Sequence, residues 1–168
     1  VLTGAPVVPV TNAAAALREA LRQPIGSRSL RELVSARRRV AIVFSDITRP
    51  APSHLMIPAI LAELAHVPRE QVVLCNALGT HRPNTRDELC RMLGADLVDN
   101  FLIEQNNCTD LSTQACIGTS SRGHEQWSNR VYMEADVKIL TGFIEPHFFA
   151  GFSGGGKSVM PAMAGQKT

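Results

Sequence analysis

The chain has 168 residues, 45% of them hydrophobic, and a formal net charge of +2, which fits one domain with a substantial buried core. Its lysines and arginines are scattered and it has one Trp and one Tyr, which argues against a nucleic-acid surface and for small-molecule chemistry. No apolar run approaches the roughly 18 to 20 residues of a membrane span, and no charged segment followed by an apolar core opens the chain, so a soluble, cytoplasmic domain with no membrane partner is expected.

Residues 1–10 are apolar with two prolines and read as an extended lead-in. Thr11 or Asn12 can cap a helix through AAAALREALRQ that Pro24 and Gly26 end. Ser29 opens a second short helix, LRELVSAR. VAIVF, from Val40, is a continuous apolar run of strand length, as expected of a parallel strand covered on both faces. Its end delivers SDITRPAP, after which Ser53 starts a helix, HLMIPAILAELAHV, with Pro58 near its first turn or kinking it. VVLCNAL from Val72 is a second buried strand. It delivers GTHRPN, and Thr85 with Glu88 makes a capping box for RDELCRML, closed by Gly94. LVDNFLIEQ reads as a third strand, followed by a polar loop, the turn-rich IGTSSRGHEQW and VYMEA. VKILTGF, from Val137, is a buried strand again. The expectation is one α/β domain over residues 1–168, a mainly parallel sheet flanked by helices in a Rossmann-like three-layer arrangement.

Cys75, Cys90, Cys108 and Cys116 show no CxxC spacing, so reduced structural thiols are expected rather than a zinc site or disulfides, and no metal ligand is assigned. In open parallel sheets, ligands bind at the carboxyl ends of the strands. Three polar segments sit there: SDITRP, GTHRP and EPHFFAGFSGGGKS. The last, Glu145 to Ser158, packs a carboxylate, an imidazole, aromatics, glycines and a lysine behind a strand. Glycines at that density suit close backbone approach to a ligand, and their amides can cradle an anion. Lys157 supplies a charge or, if desolvated, an amine nucleophile.

GFSGGGKS, Gly151 to Ser158, also satisfies the P-loop pattern GxxxxGK[ST]. Seven residues separate it from the preceding strand and ten follow it, one of them Pro161, and this spacing counts against the strand–loop–helix context of an NTPase. His81 and His147 each follow a buried strand and are set as an acid/base pair, the alternative being two histidines that each make one structural hydrogen bond. Arg49 in DITRP is placed to grip a carboxylate, with an ion pair to Asp46 as its structural alternative. Arg82, beside His81, competes for the anchor role. His54, His66 and His124 read as surface residues.

DITRPAP, ALGTHRP with its downstream helix ending in LG, and EADVKILTGFIEPHFFAGFSGGGKS together resemble the nickel-dependent lactate racemase family, from about Pro24 to the end. The resemblance implies an isomerase acting on a 2-hydroxy acid. Its cofactor would be a nickel pincer nucleotide joined through a thioamide to Lys157, with Ser153, Gly154, Gly155 and Gly156 holding the nucleotide. It makes His81 and His147 alternating acid/base groups and Arg49 the group that binds the substrate carboxylate; Asp46 and Arg82, read from their positions beside Arg49 and His81, complete the expected substrate-binding set. Hydride would leave the substrate carbon for the cofactor ring and return to either face. The family also implies a nickel-ligating histidine beyond Thr168, a C-terminal domain closing the cleft, and cofactor-synthesis enzymes as partners. The chain would then be a truncated N-terminal catalytic domain of a two-domain enzyme, inactive and without cofactor on its own. The alternatives are a catalytically silent nucleotide- or phosphate-binding domain and a P-loop NTPase.

Overall fold

The structure is a computed structural model that describes residues 7–148 and 150–168. Val1 to Pro6 of the expected lead-in, and Phe149 of the glycine-rich segment, lie outside the described residues. Asn12 caps α1 (Ala13–Arg22) by accepting the Ala15 N–H at 3.0 Å. Ser29 and Glu32 form a capping box for α2, but that helix stops after one turn, at Leu30–Leu33. The expected continuation through VSAR fails because Val34 adopts extended backbone and buries its side chain completely.

β1 (Val40–Ser45) and β2 (Val72–Ala77) are the central strands, each fully buried until its last residue. They pair in parallel from Val40 beside Val72, and the sheet is completed by β3 (Leu102–Gln105) and β6 (Val137–Leu140), all parallel, in the order β3-β2-β1-β6. Alternation puts Val40, Ile42, Phe44 and Leu74 on one face, under α3 (Ser53–Glu63) and α4 (Arg86–Leu93). Ala41, Val43, Val73 and Cys75 face the other way, against α6 (Arg130–Glu134) and Met163. Burying both faces explains why these strands read as unbroken apolar runs rather than alternating ones.

Two expectations need correction. LVDNFLIEQ is not one strand: Ala95–Asn100 forms α5, which buries Leu97, and only Leu102–Gln105 joins the sheet. VKILTGF ends its pairing at Leu140, and β6 is a half-buried edge strand rather than a buried one. The turn-rich stretch after β3 is a two-stranded antiparallel hairpin, β4 (Gln114–Thr119) with β5 (Glu125–Asn129).

The last residues are sewn into this frame by their carbonyls. Ala162 O accepts the Gly79 N–H at 2.9 Å, and Asn106 Nδ2 donates to Ala162 O and Ala164 O at 3.0 and 3.1 Å. Met163 O accepts from Asn129 N and Ser128 Oγ. Among the described residues no helix is long and apolar enough to cross a membrane.

Candidate functional site

β1 sits at the point where the strand order reverses, since the chain runs outward through β2 and β3 and then returns to β6 on the other flank. Such a reversal splays the connecting loops apart and opens a crevice at the carboxyl ends of the strands. A cavity of about 150 Å³ lies there, lined by Asp46 and Arg49 after β1, Gly79 and His81 after β2, and Phe143, His147, Ser153, Gly154 and Lys157 after β6. The three segments singled out in the sequence therefore meet.

Asp46, only 4% exposed, accepts from Thr48 Oγ1 at 2.7 Å through one oxygen and bonds His81 Nδ1 through the other. That bond fixes the ring and leaves Nε2 for chemistry. Arg49 does not pair with Asp46. Its Nη1 donates to Glu145 Oε1 at 2.6 Å. Arg82 points elsewhere: both its terminal nitrogens bond Glu88, at 2.8 and 2.7 Å, and it does not line the cavity. Glu88 is held well below the usual carboxylate range, at about 2, by Arg82 and then by the Thr85 N–H.

The 78–85 loop that carries His81 rests on an amide ladder that the sequence reading missed. Asn76 Nδ2 donates to Asn84 Oδ1 at 2.8 Å and to Gln105 Oε1 at 3.2 Å, while Gln105 Oε1 also takes the Asn84 N–H at 2.7 Å. The available signal was a polar residue inside an otherwise apolar strand, Asn76 in VVLCNAL, because a buried amide must be paired.

After β6 the chain folds back as a small hairpin, β7 (Pro146–His147) with β8 (Gly151–Phe152), and then makes a single 3-10 turn, Gly155–Ser158. Among the described residues no long helix follows a tight strand exit, so GFSGGGKS lacks the context of a P-loop here. Ser153, 6% exposed, donates from Oγ to Phe143 O at 2.5 Å and accepts from Glu145 N at 3.2 Å. Its hydroxyl therefore pins the loop. Gly154 has φ 75°, and a Cβ there would meet Phe143 O and Ile144 Cγ1 at 3.3 Å, so only glycine fits. Gly155 and Gly156 differ, since a Cβ on either meets nothing within 4 Å. Their backbone borders open space at the start of a helical turn, where N–H groups have no intrahelical partner.

The Lys157 amine makes no hydrogen bond or ion pair among the described residues, and burial, then the Arg49 guanidinium, push it below the ordinary lysine value. The His147 imidazole is likewise lowered, by burial, then Lys157 and Arg49, against an opposing pull from Glu145. His147 Nδ1 accepts the Ala150 N–H at 3.3 Å. His66, expected on the surface, is half-buried with Nε2 against Val34 O at 2.5 Å. Among the described residues no group of three or more His, Cys, Asp or Glu is disposed to hold a metal ion.

A three-layer α/β domain whose cavity at the sheet switch point gathers two imidazoles, a guanidinium and a lysine with a lowered pKa defines the class of this protein. Comparison with known proteins narrows it. Residues 1–168 match the family described as lactate racemase N-terminal domain, and the chain belongs to that family. It is 44% identical over 153 residues to a lactate racemase of Lactiplantibacillus plantarum, covering 90% of this chain and 36% of that protein. It is 38% identical over 149 residues to a lactate racemase of Thermoanaerobacterium thermosaccharolyticum, covering 88% of this chain and 35% of that one. The solved lactate racemase apoprotein of the latter organism superposes with a TM-score of 0.84 at 36% identity, over 91% of this chain and 37% of that one. A Thermotoga maritima protein shares the fold, with a TM-score of 0.69 at 24% identity over 92% of this chain and 38% of that one. The chain thus spans little more than a third of the length of these relatives.

Proposed function

We propose that this domain carries the catalytic face of a 2-hydroxy-acid racemase that uses a lysine-bound nickel pincer nucleotide. The observation that supports this most is the meeting of His81 and His147, from different strand ends, in one cavity with Arg49 and Lys157. Arg49 takes the substrate carboxylate, because a guanidinium fork matches it in a way that a point charge does not. Arg82 is committed to Glu88 and serves the fold of the loop.

His81, oriented by Asp46, and His147, lowered by burial and then by its cationic neighbours, each take or return the hydroxyl proton from one side of the substrate carbon. The residues fit the organic part of the cofactor. Lys157 offers an amine whose pKa is lowered by burial and then by the Arg49 guanidinium, and Gly155 and Gly156 leave the room that a nucleotide phosphate would fill beside backbone amides. When bound, that group would supply the site with a hydride acceptor and donor for the substrate carbon. The donor set for nickel is not assigned to the described residues.

The full-length protein, co-produced with the cofactor-making enzymes, should interconvert the enantiomers of lactate. His81→Ala and His147→Ala should each abolish interconversion while the cofactor adduct remains on the protein. Racemisation that survives loss of both imidazoles would refute the acid/base roles.

A further inference from the structure

Arg49 and Glu145 stand 96 positions apart and meet in one contact, Nη1 to Oε1 at 2.6 Å, with side chains 26% and 30% exposed. A guanidinium has five N–H donors in a rigid fork, and among the described residues only this one is taken by another side chain. Arg49 lines the cavity, whereas Glu145 is not among the residues that do. Glu145 therefore takes one donor of the fork from outside the cavity lining, and no other side chain among the described residues takes the rest.

Glu145 is itself fixed. Its N–H donates to Ser153 Oγ at 3.2 Å and its carbonyl accepts the Ser153 N–H at 2.9 Å, so the carboxylate stands on pinned backbone rather than on a loose tip. The next two residues, Pro146–His147, are β7. The contact thus joins the loop after β1 to the hairpin that carries His147.

We propose that Glu145 is a positioning residue, holding the Arg49 guanidinium so that its free edge faces a ligand carboxylate and keeping His147 in register with that edge. This rests on the hydroxy-acid reading of the site. A single contact from outside the cavity favours orientation over competition, because a ligand carboxylate can still take the remaining edge with two parallel hydrogen bonds. Glu145 is also the carboxylate that offsets Lys157 and Arg49 around the His147 ring, so its charge has a readout apart from affinity.

The test uses full-length protein as the parent, Glu145→Gln and Glu145→Ala. Calorimetry measures lactate affinity, and NMR follows the His147 ring through a pH titration. Lactate affinity should fall about tenfold in Glu145→Ala, as expected when an Arg loses the partner that orients it, and less in Glu145→Gln, which keeps an oxygen acceptor. His147 should titrate at lower pH in both. Affinity equal to the parent's in Glu145→Ala would overturn the proposal by making the pair ornamental, and higher affinity would overturn it by showing that Glu145 competes with the ligand. If Glu145→Ala fails to fold, the same two criteria applied to Glu145→Gln decide. A parent that binds neither lactate nor any other 2-hydroxy acid refutes the functional reading itself, and this proposal with it.

Discussion

His81 and Asp46 are bonded directly, Nδ1 to Oδ2, across the carboxyl ends of β1 and β2. The carboxylate is almost wholly buried and its other oxygen is taken by Thr48, so it has no freedom to follow the ring. Asp46→Asn replaces a carboxylate that can only accept with an amide that can also donate, so the proton is no longer held on His81 Nδ1. Turnover of the loaded full-length enzyme should fall on the order of 10²-fold or more, the usual scale for a misoriented acid/base group, with KM nearly unchanged. A rise in KM at unchanged kcat would instead assign Asp46 to substrate binding.

Arg49 and Arg82 should separate cleanly. Arg49→Lys keeps the charge but loses the fork, so KM for a hydroxy acid should rise about tenfold. Arg82→Lys should leave KM alone and lower the thermal midpoint, because its two bonds go to Glu88. Steady-state kinetics and melting curves on the same samples check both.

Glu88 gives a pH signature. Its carboxyl lies lowered from 4.5 to about 2 in the folded chain, so the folded state holds fewer protons than the unfolded one between those values. Its contribution to stability is complete above pH 4.5 and drains away as pH falls toward about 2. Melting temperature plotted against pH should therefore drop less steeply across that window in Glu88→Gln than in the parent. The variant should start from a lower value at neutral pH.

Two glycines of this loop, two positions apart, should behave oppositely. Gly154→Ala places a Cβ 3.3 Å from Phe143 O at φ 75°, and urea unfolding should show a loss of about 1–3 kcal/mol, the range for a side chain forced into a strained backbone conformation. Gly156→Ala meets nothing within 4 Å and should change stability by about 0.5 kcal/mol or less. It should nonetheless lower cofactor loading, read as adduct mass on Lys157, if that open space belongs to the nucleotide.

Lys157→Arg decides between a charge and a covalent partner. Arginine keeps the positive charge but cannot form an amide-type bond. Intact-mass measurement of full-length protein co-produced with its cofactor-making enzymes should show an adduct on the parent and none on the variant.

Local signals were legible where short-range chemistry dominates. Asn12, the Ser29–Glu32 and Thr85–Glu88 boxes and the unbroken runs of β1 and β2 all form as their residues suggest. The meeting of the three loops follows from parallel topology, which strand ends alone already imply. LVDNFLIEQ misled because a short apolar run has no period long enough to tell helix from strand, and Leu97 is buried by packing on α4 and its neighbours rather than by pairing. Partner choice was least legible. Arg49 passes over the nearby Asp46 for Glu145, and Asn106 reaches the carbonyls of Ala162 and Ala164; neither choice leaves a mark in local sequence.

The carbonyl seam of residues 162–164 also orders events in time. Asn106 meets Ala162 across 56 residues, and a contact that closes so long a loop forms late in folding. The frame of β1, β2 and α4 can assemble first, from nearer partners, while the cavity wall waits for residues 162–164 to dock. Pulse-labelled hydrogen exchange should find the Leu74 amide protected early and the Gly79 amide, whose acceptor is Ala162 O, protected last. The cavity would thus be complete only once residues 162–164 have docked on a sheet already formed.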